Sequence, residues 1–217
     1  MITKSAIAIA GESWTNLRSH PNRDRWTSGM SSGGVWLAVT DGVGQLAGSS
    51  RVAERALDIL RQLMPTLGLS TDDLAIALHS ASISVSSFLE GGADEGATTL
   101  TSASLTEDTV SVAWLGDSFA WIASTAGQGI LTPPKTSHRL HEWLGSTLFA
   151  PHTASFPING AAVVLLGTDG SVAPPQGDFL TTTPQELISI SLRNARAQGS
   201  TDDATVVVAR TTTGGWP

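Results

Sequence analysis

The sequence predicts an α+β domain in which antiparallel sheets carry helices on their outer faces. Two observations predict it. Two helix-like segments follow one another between groups of strands, and the run "TTLTSASLTEDTVSVAWLGDSFAWIAS" reads as a meander of three strands joined by short turns. A parallel doubly wound sheet would instead alternate strand and helix regularly.

In chain order, short apolar, β-branched-rich pieces predict strands over 4–10 and 34–40. The segment 49–63 predicts a helix, with Val52, Ala56, Ile59, Leu60 and Leu63 on one stripe and Ser49 or Ser50 as N-cap. A second helix follows over 70–90, opened by a Ser70–Asp73 capping box and ended by Gly91-Gly92. Strands are predicted over 97–105, 109–115 and 119–123, then a weak helix over 138–144 and a strand over 161–167. Thr183, Pro184 and Glu186 open a third long helix that stops at Gly199, and a last strand covers 204–210. Between Ser124 and Gly160 the chain is rich in Pro, Gly, Ser, Thr and His with little periodicity, the composition of a lid or binding loop.

The 217 residues suit one domain, with a core over 1–210 and a loose tail over 211–217. The net charge of −7, from 19 acids against 12 Lys and Arg without a basic run, argues against a nucleic-acid partner. No Cys occurs, which excludes disulfides, thiolate nucleophiles and Cys-ligated zinc. Any metal must therefore bind through oxygen or His. The apolar part of "MITKSAIAIAG" is shorter than the ~7–15 residues of a signal-peptide core, and no stretch approaches the ~18 apolar residues of a membrane span. A soluble cytoplasmic protein with no membrane partner is expected.

Three apolar runs stop at an acid: "VWLAVTDG" at Asp41, "VSVAWLGDS" at Asp117 and "AVVLLGTDG" at Asp169. Asp202 and Asp203 precede the final strand. Asp-Gly is common turn chemistry, which would explain any one of these alone. The same Thr-Asp-Gly after two fully apolar strands points further, because carboxylates gathered at neighbouring strand ends repel unless a cation neutralises them. Hard oxygen ligands favour Mg²⁺ or Mn²⁺.

In this order, "DGVGQLAGSSRVAERAL", "GATTLTSASL", "VAWLGDSFAWI", "VVLLGTDGSV" and "STDDATVVVAR" resemble the signature blocks of the metal-dependent protein serine/threonine phosphatases of type 2C, over roughly residues 18–210. The resemblance implies a four-layer α/β/β/α sandwich of two antiparallel sheets, with a binuclear metal site at one end. It implies that Asp41 bridges two cations, that the Gly42 carbonyl completes one of them, and that Asp169 and Asp202 bind the other. Asp117 matches an acid that holds a third, weaker metal in bacterial members. Asp24, in "RSHPNRD", matches the acid that orients metal-bound water, and Arg18 matches the phosphate-binding arginine. One extra residue separates Arg18 from Asp24, so Arg23 and Arg25 stand as alternatives.

The activity implied is hydrolysis of phosphoserine and phosphothreonine in proteins by water activated between two Mg²⁺ or Mn²⁺ ions. The partners implied are phosphoprotein substrates and a kinase whose work is reversed. Departures from the family pattern include Gln45, Thr168, Asp203 and Phe119, none of which removes an expected ligand, and Val43, which leaves no general acid at that position. The segment between Asp117 and Asp169 is short, as in a trimmed flap.

Rival readings are weaker. Gly42-x-Gly44-x-x-x-Gly48 resembles the turn of a dinucleotide-binding oxidoreductase, but Asp41 would face the pyrophosphate and a second helix follows where a strand is needed. "GMSSG" matches a nucleophile elbow around Ser31 in reversed context, with polar residues before it and a strand after it. His138 and His141 lack the i, i+4 spacing of a zinc helix, and the seven Trp read as packing residues. A catalytically silent scaffold that binds phosphoproteins would have no use for Asp41, Gly42, Asp169 and Asp202 together, since the bare acids repel.

Overall fold

The computed structural model describes residues 7–15, 21–43, 46, 48–91, 95–132, 142–145 and 147–211. Their strands and helices run β1 (Ile7–Trp14), β2 (Arg25–Ser31), β3 (Gly34–Thr40), α1 (Ser49–Leu63), α2 (Thr71–Glu90), β4 (Leu100–Thr106), β5 (Thr109–Leu115), β6 (Phe119–Ser124), β7 (Gly127–Ile130), β8 (His152–Pro157), β9 (Ala162–Gly167), α3 (Pro184–Ala197) and β10 (Ala204–Thr211). They form two five-stranded sheets, ordered β1-β10-β9-β6-β7 and β2-β3-β4-β5-β8. Every pairing within these sheets is antiparallel. This removes the dinucleotide-binding alternative, whose crevice belongs to a parallel sheet.

Because successive residues of a strand face opposite ways, each central strand packs on two layers at once. Val35, Leu37 and Val39 of β3 meet Val164 and Leu166 of β9 and Val207 of β10 between the sheets. Trp36 and Ala38 turn outward to Val52, Ala56 and Leu60 of α1 and to Leu74 and Leu78 of α2. Leu165, Val206 and Val208 turn outward on the other side to Leu187, Ile188 and Leu192 of α3. The result is the expected α/β/β/α sandwich.

The helices start and stop for local reasons. Ser70 and Asp73 form a reciprocal capping box on α2, and Thr183 and Glu186 do the same on α3, with Pro184 in the first turn. The N-cap of α1 is Gly48, one residue before the expected serines. Ser49 is drawn inside instead, where its hydroxyl donates to the Val43 carbonyl at 2.9 Å.

Three features differ from expectation. The anticipated three-strand meander divides: β4 and β5 pair, but β6 crosses at Gly116–Ser118 into the other sheet. Strands β2, β7 and β8 lacked a sequence signal, and β1 runs on to Trp14, past the expected end at residue 10, while residues 4–6 of that expected strand lie outside the described residues. Of the anticipated helix 138–144, residues 138–141 lie outside the described residues, and Leu144 forms a β-bridge with Thr98 instead of a helical turn. Among the described residues no helix is long and apolar enough to cross a membrane.

Candidate metal centre

Strands from both sheets deliver acids to one end of the sandwich. β3 ends at Thr40 and presents Asp41, β9 ends at Gly167 and presents Asp169, and the crossing after β5 presents Asp117. One carboxylate oxygen from each of Asp41, Asp117 and Asp169 lies within 4.8 Å of the other two. Asp24, just ahead of β2, is 2% exposed and stands against this group.

The support of these acids is built mostly from hydroxyls and backbone. The Asp41 carbonyl accepts from the Thr99 N–H and from the Thr98 hydroxyl, each at 2.8 Å. The Asp41 N–H donates to the Thr99 hydroxyl oxygen at 3.1 Å. Gly42 pairs with Thr98, and the flanking bonds are made by Asp41 and Val43, so the Gly42 C=O is turned away from Thr98. A Cβ on Gly42 would lie 2.7 Å from that of Arg23, so only glycine lets the Asp24 loop approach this closely. Thr168 donates to Asp24 Oδ2 at 2.7 Å and accepts from the Thr205 N–H at 2.9 Å, which ties the Asp24 loop to β9 and β10.

Burial and mutual repulsion act on the carboxyls together. Burial, the largest cause, pushes Asp24 up to about 7, and the charges of Asp203 and Asp169 add to it. Hydrogen bonds with Thr168 and Asp41 oppose that rise. Asp41 is pushed well above the usual carboxylate range, first by burial and then by the charges of Asp24 and Asp169, with a smaller contribution from Asp202. Several acids forced together in a low-dielectric end are costly unless a cation is shared among them. The donor set is all oxygen, which fits Mg²⁺ or Mn²⁺.

The other expected site residues fall as follows. Asp202 is exposed and accepts from the Asp203 N–H at 2.9 Å. It is near enough to raise Asp41 but is not one of the three clustered acids. Asp117, expected to hold a third, weaker metal, lies in the cluster with Asp41 and Asp169. Asp203 is buried and accepts from the Arg23 N–H at 3.2 Å. Arg18, His138 and His141 lie outside the described residues. Arg25 is committed elsewhere: its guanidinium donates to the carbonyls of Asn22 and Asp24 at 2.7 Å and to the Ser50 hydroxyl at 2.8 Å, and lies 3.6 Å from Glu54. That makes it a clamp for the Asp24 loop. Ser31 ends β2, and its hydroxyl donates to the Leu67 carbonyl.

Sequence reasoning missed the supporting hydroxyls of Thr98, Thr99, Ser118 and Thr168. All four lie just outside the ends of strands, where neither alternation nor an apolar run marks a residue as buried.

The family model for protein phosphatase 2C matches residues 16–175. No curated protein sequence matches the chain. Among solved structures, the chain resembles the catalytic domain of the serine/threonine phosphatase PstP in complex with two manganese ions, at 19% identity and a TM-score of 0.76, over 96% of this chain and 100% of that one. It also resembles PstP/Ppp of Mycobacterium tuberculosis, at 19% identity and a TM-score of 0.75, over 94% and 97% of the two chains. The phosphatase Stp1 of Staphylococcus aureus has 15% identity and a TM-score of 0.79, over 96% of each chain. The family match spans the clustered acids at Asp41, Asp117 and Asp169, and the fold agrees over nearly the whole length: the chain belongs to the protein phosphatase 2C family.

Proposed function

We propose that the chain is a divalent-cation-dependent phosphatase acting on phosphoserine and phosphothreonine in proteins. The observation that carries this reading is the convergence of Asp41, Asp117 and Asp169 from three strand ends in a member of this family. Asp41 and Asp169 would hold paired cations, with the Gly42 carbonyl and Asp202 at their margin, and Asp117 would share a further one. Bound Mg²⁺ or Mn²⁺ supplies Lewis acidity toward phosphoryl oxygens and lowers the pKa of water.

The chain's own residues do the positioning. Asp24, fixed by Thr168 at one oxygen and by its backbone bond to Asn22 at 2.7 Å, would orient an attacking water. Arg25 keeps that loop against α1 through Ser50 and Glu54. An arginine of the 18–23 segment would meet the phosphate, since the Arg25 guanidinium serves the loop. With no Cys in the chain, direct attack by water is the route that needs no thiolate.

Incubating the purified chain with an aryl phosphate and with a phosphothreonine peptide, in Mn²⁺ or in chelator, tests this. Phosphate release in Mn²⁺ that chelator abolishes is the expected result. No release from either substrate would overturn the enzyme reading in favour of a silent phosphoprotein-binding scaffold.

A further inference from the structure

Thr99 touches both strand-end turns that carry the central acids. Its N–H donates to the Asp41 carbonyl at 2.8 Å, and its hydroxyl oxygen accepts from the Asp41 N–H at 3.1 Å. The same hydroxyl lies 2.8 Å from that of Ser118, the residue after Asp117. Thr99 and Ser118 are both 1% exposed, so water does not substitute for either. Gly116, at φ 105°, lets the Asp117 turn close down on Thr99: a Cβ there would lie 2.6 Å from that of Thr99. On its far side the Ser118 carbonyl accepts from the Thr101 hydroxyl at 3.2 Å, which pins the Asp117 turn to β4.

We propose that Thr99 is a positioning residue that couples Asp41 to Asp117, its one hydroxyl bridging their two turns so that the carboxylates meet a cation as a unit. This rests on the metal-dependent reading above. A hydroxyl has two lone pairs and one proton, which suffices to accept from Asp41 and to bond Ser118 in either direction. Valine has the same shape and neither capacity. The half-buried Asp41 N–H would then lose its partner, and the Asp117 turn would lose its link to Asp41.

The test is Mn²⁺ titration calorimetry on the whole chain and on Thr99→Val, Thr99→Ser, Ser118→Ala and the double variant Thr99→Val/Ser118→Ala, each checked by thermal melting. Loss of a residue that orients metal ligands weakens metal affinity by about 10–100-fold, and this is the expected effect of Thr99→Val. Thr99→Ser restores the affinity, and the double variant loses no more than Thr99→Val alone. Unchanged affinity in Thr99→Val, or a loss that serine does not rescue, overturns the proposal while leaving the function standing. If Thr99→Val does not fold, unchanged affinity in Ser118→Ala overturns it equally. Absence of Mn²⁺ binding by the parent chain would remove the metal reading itself, and the coupling with it.

Discussion

The tripeptide Thr-Asp-Gly occurs at the end of β3 and again after β9, and the two copies are supported differently. At Thr40-Asp41-Gly42 the threonine hydroxyl makes a long 3.4 Å bond to the Arg25 carbonyl, and Asp41 is held by Thr98 and Thr99 of the neighbouring chain segment. At Thr168-Asp169-Gly170 the threonine itself is the tie, joining Asp24 to Thr205. The glycines differ too. A Cβ on Gly42 would press on the Arg23 side chain, whereas one on Gly170 would fall 1.8 Å from the Asp203 carbonyl oxygen. Identical local chemistry thus makes one turn that is gripped from outside and one that does the gripping.

The largest effect expected from breaking this contrast is at the acids. Asp41→Ala and Asp169→Ala should each abolish Mn²⁺ binding at the paired site by calorimetry, because each removes a carboxylate from the cluster. Asp41→Asn should also raise the melting temperature in chelator, since it removes a half-buried carboxyl that faces Asp24 and Asp169, and should cancel the further rise that Mn²⁺ gives the parent. Unaltered Mn²⁺ binding in both alanine variants would show that the cations sit elsewhere.

Next come the glycines. Gly170→Ala should cost about 3 kcal/mol or more in urea unfolding, because its Cβ would fall 1.8 Å from a backbone oxygen, and Gly42→Ala about 1–3 kcal/mol, because its Cβ would meet the Arg23 Cβ at 2.7 Å and a smaller backbone shift relieves it. Equal costs would mean that the two turns are built alike after all.

The threonines sharpen the comparison further. Thr168→Val strands two buried partners and should cost about 2–3 kcal/mol, against less than about 1 kcal/mol for Thr40→Val, which gives up one long bond. The reverse order would contradict the roles assigned to them.

The smallest effect lies far from both turns. The Ser70 hydrogen bonds hold Asp73 below the usual carboxylate range, so its folded pKa is below its unfolded one. Its stabilisation is present above the unfolded value, near pH 4, and is lost as pH falls through the folded one. Asp73→Asn should flatten the acid limb of a melting curve by less than about 1 kcal/mol, since the site is open to solvent. Mn²⁺ should leave that limb unchanged, in contrast to its effect on the acid cluster.

What could be read in the sequence follows from where a strand sits. β3, β9 and β10 are buried on both faces and announce themselves as unbroken apolar runs such as "VWLAV" and "AVVLL". β2, β7 and β8 lie at sheet edges, half in water, and "RWTSGMS", "GQGI" and "HTASFP" carry no such pattern. The acids were legible because a carboxylate ending an apolar strand is conspicuous. Their grouping was not: which of Asp117 and Asp202 stands closer to Asp41 and Asp169 depends on how the two sheets stack, and no local pattern encodes that. The buried hydroxyls of Thr98, Thr99 and Ser118 were hidden for another reason, since threonine and serine are equally at home on an exposed strand face.

Asp41 belongs to one sheet and Asp169 to the other, and between them lies the apolar filling of Leu37, Val39, Leu166 and Val207. The sandwich therefore acts as a caliper. Side-chain volume deep in its jaws sets the opening at its tips, and a methylene added or removed there would change the gap between two carboxylates it never touches.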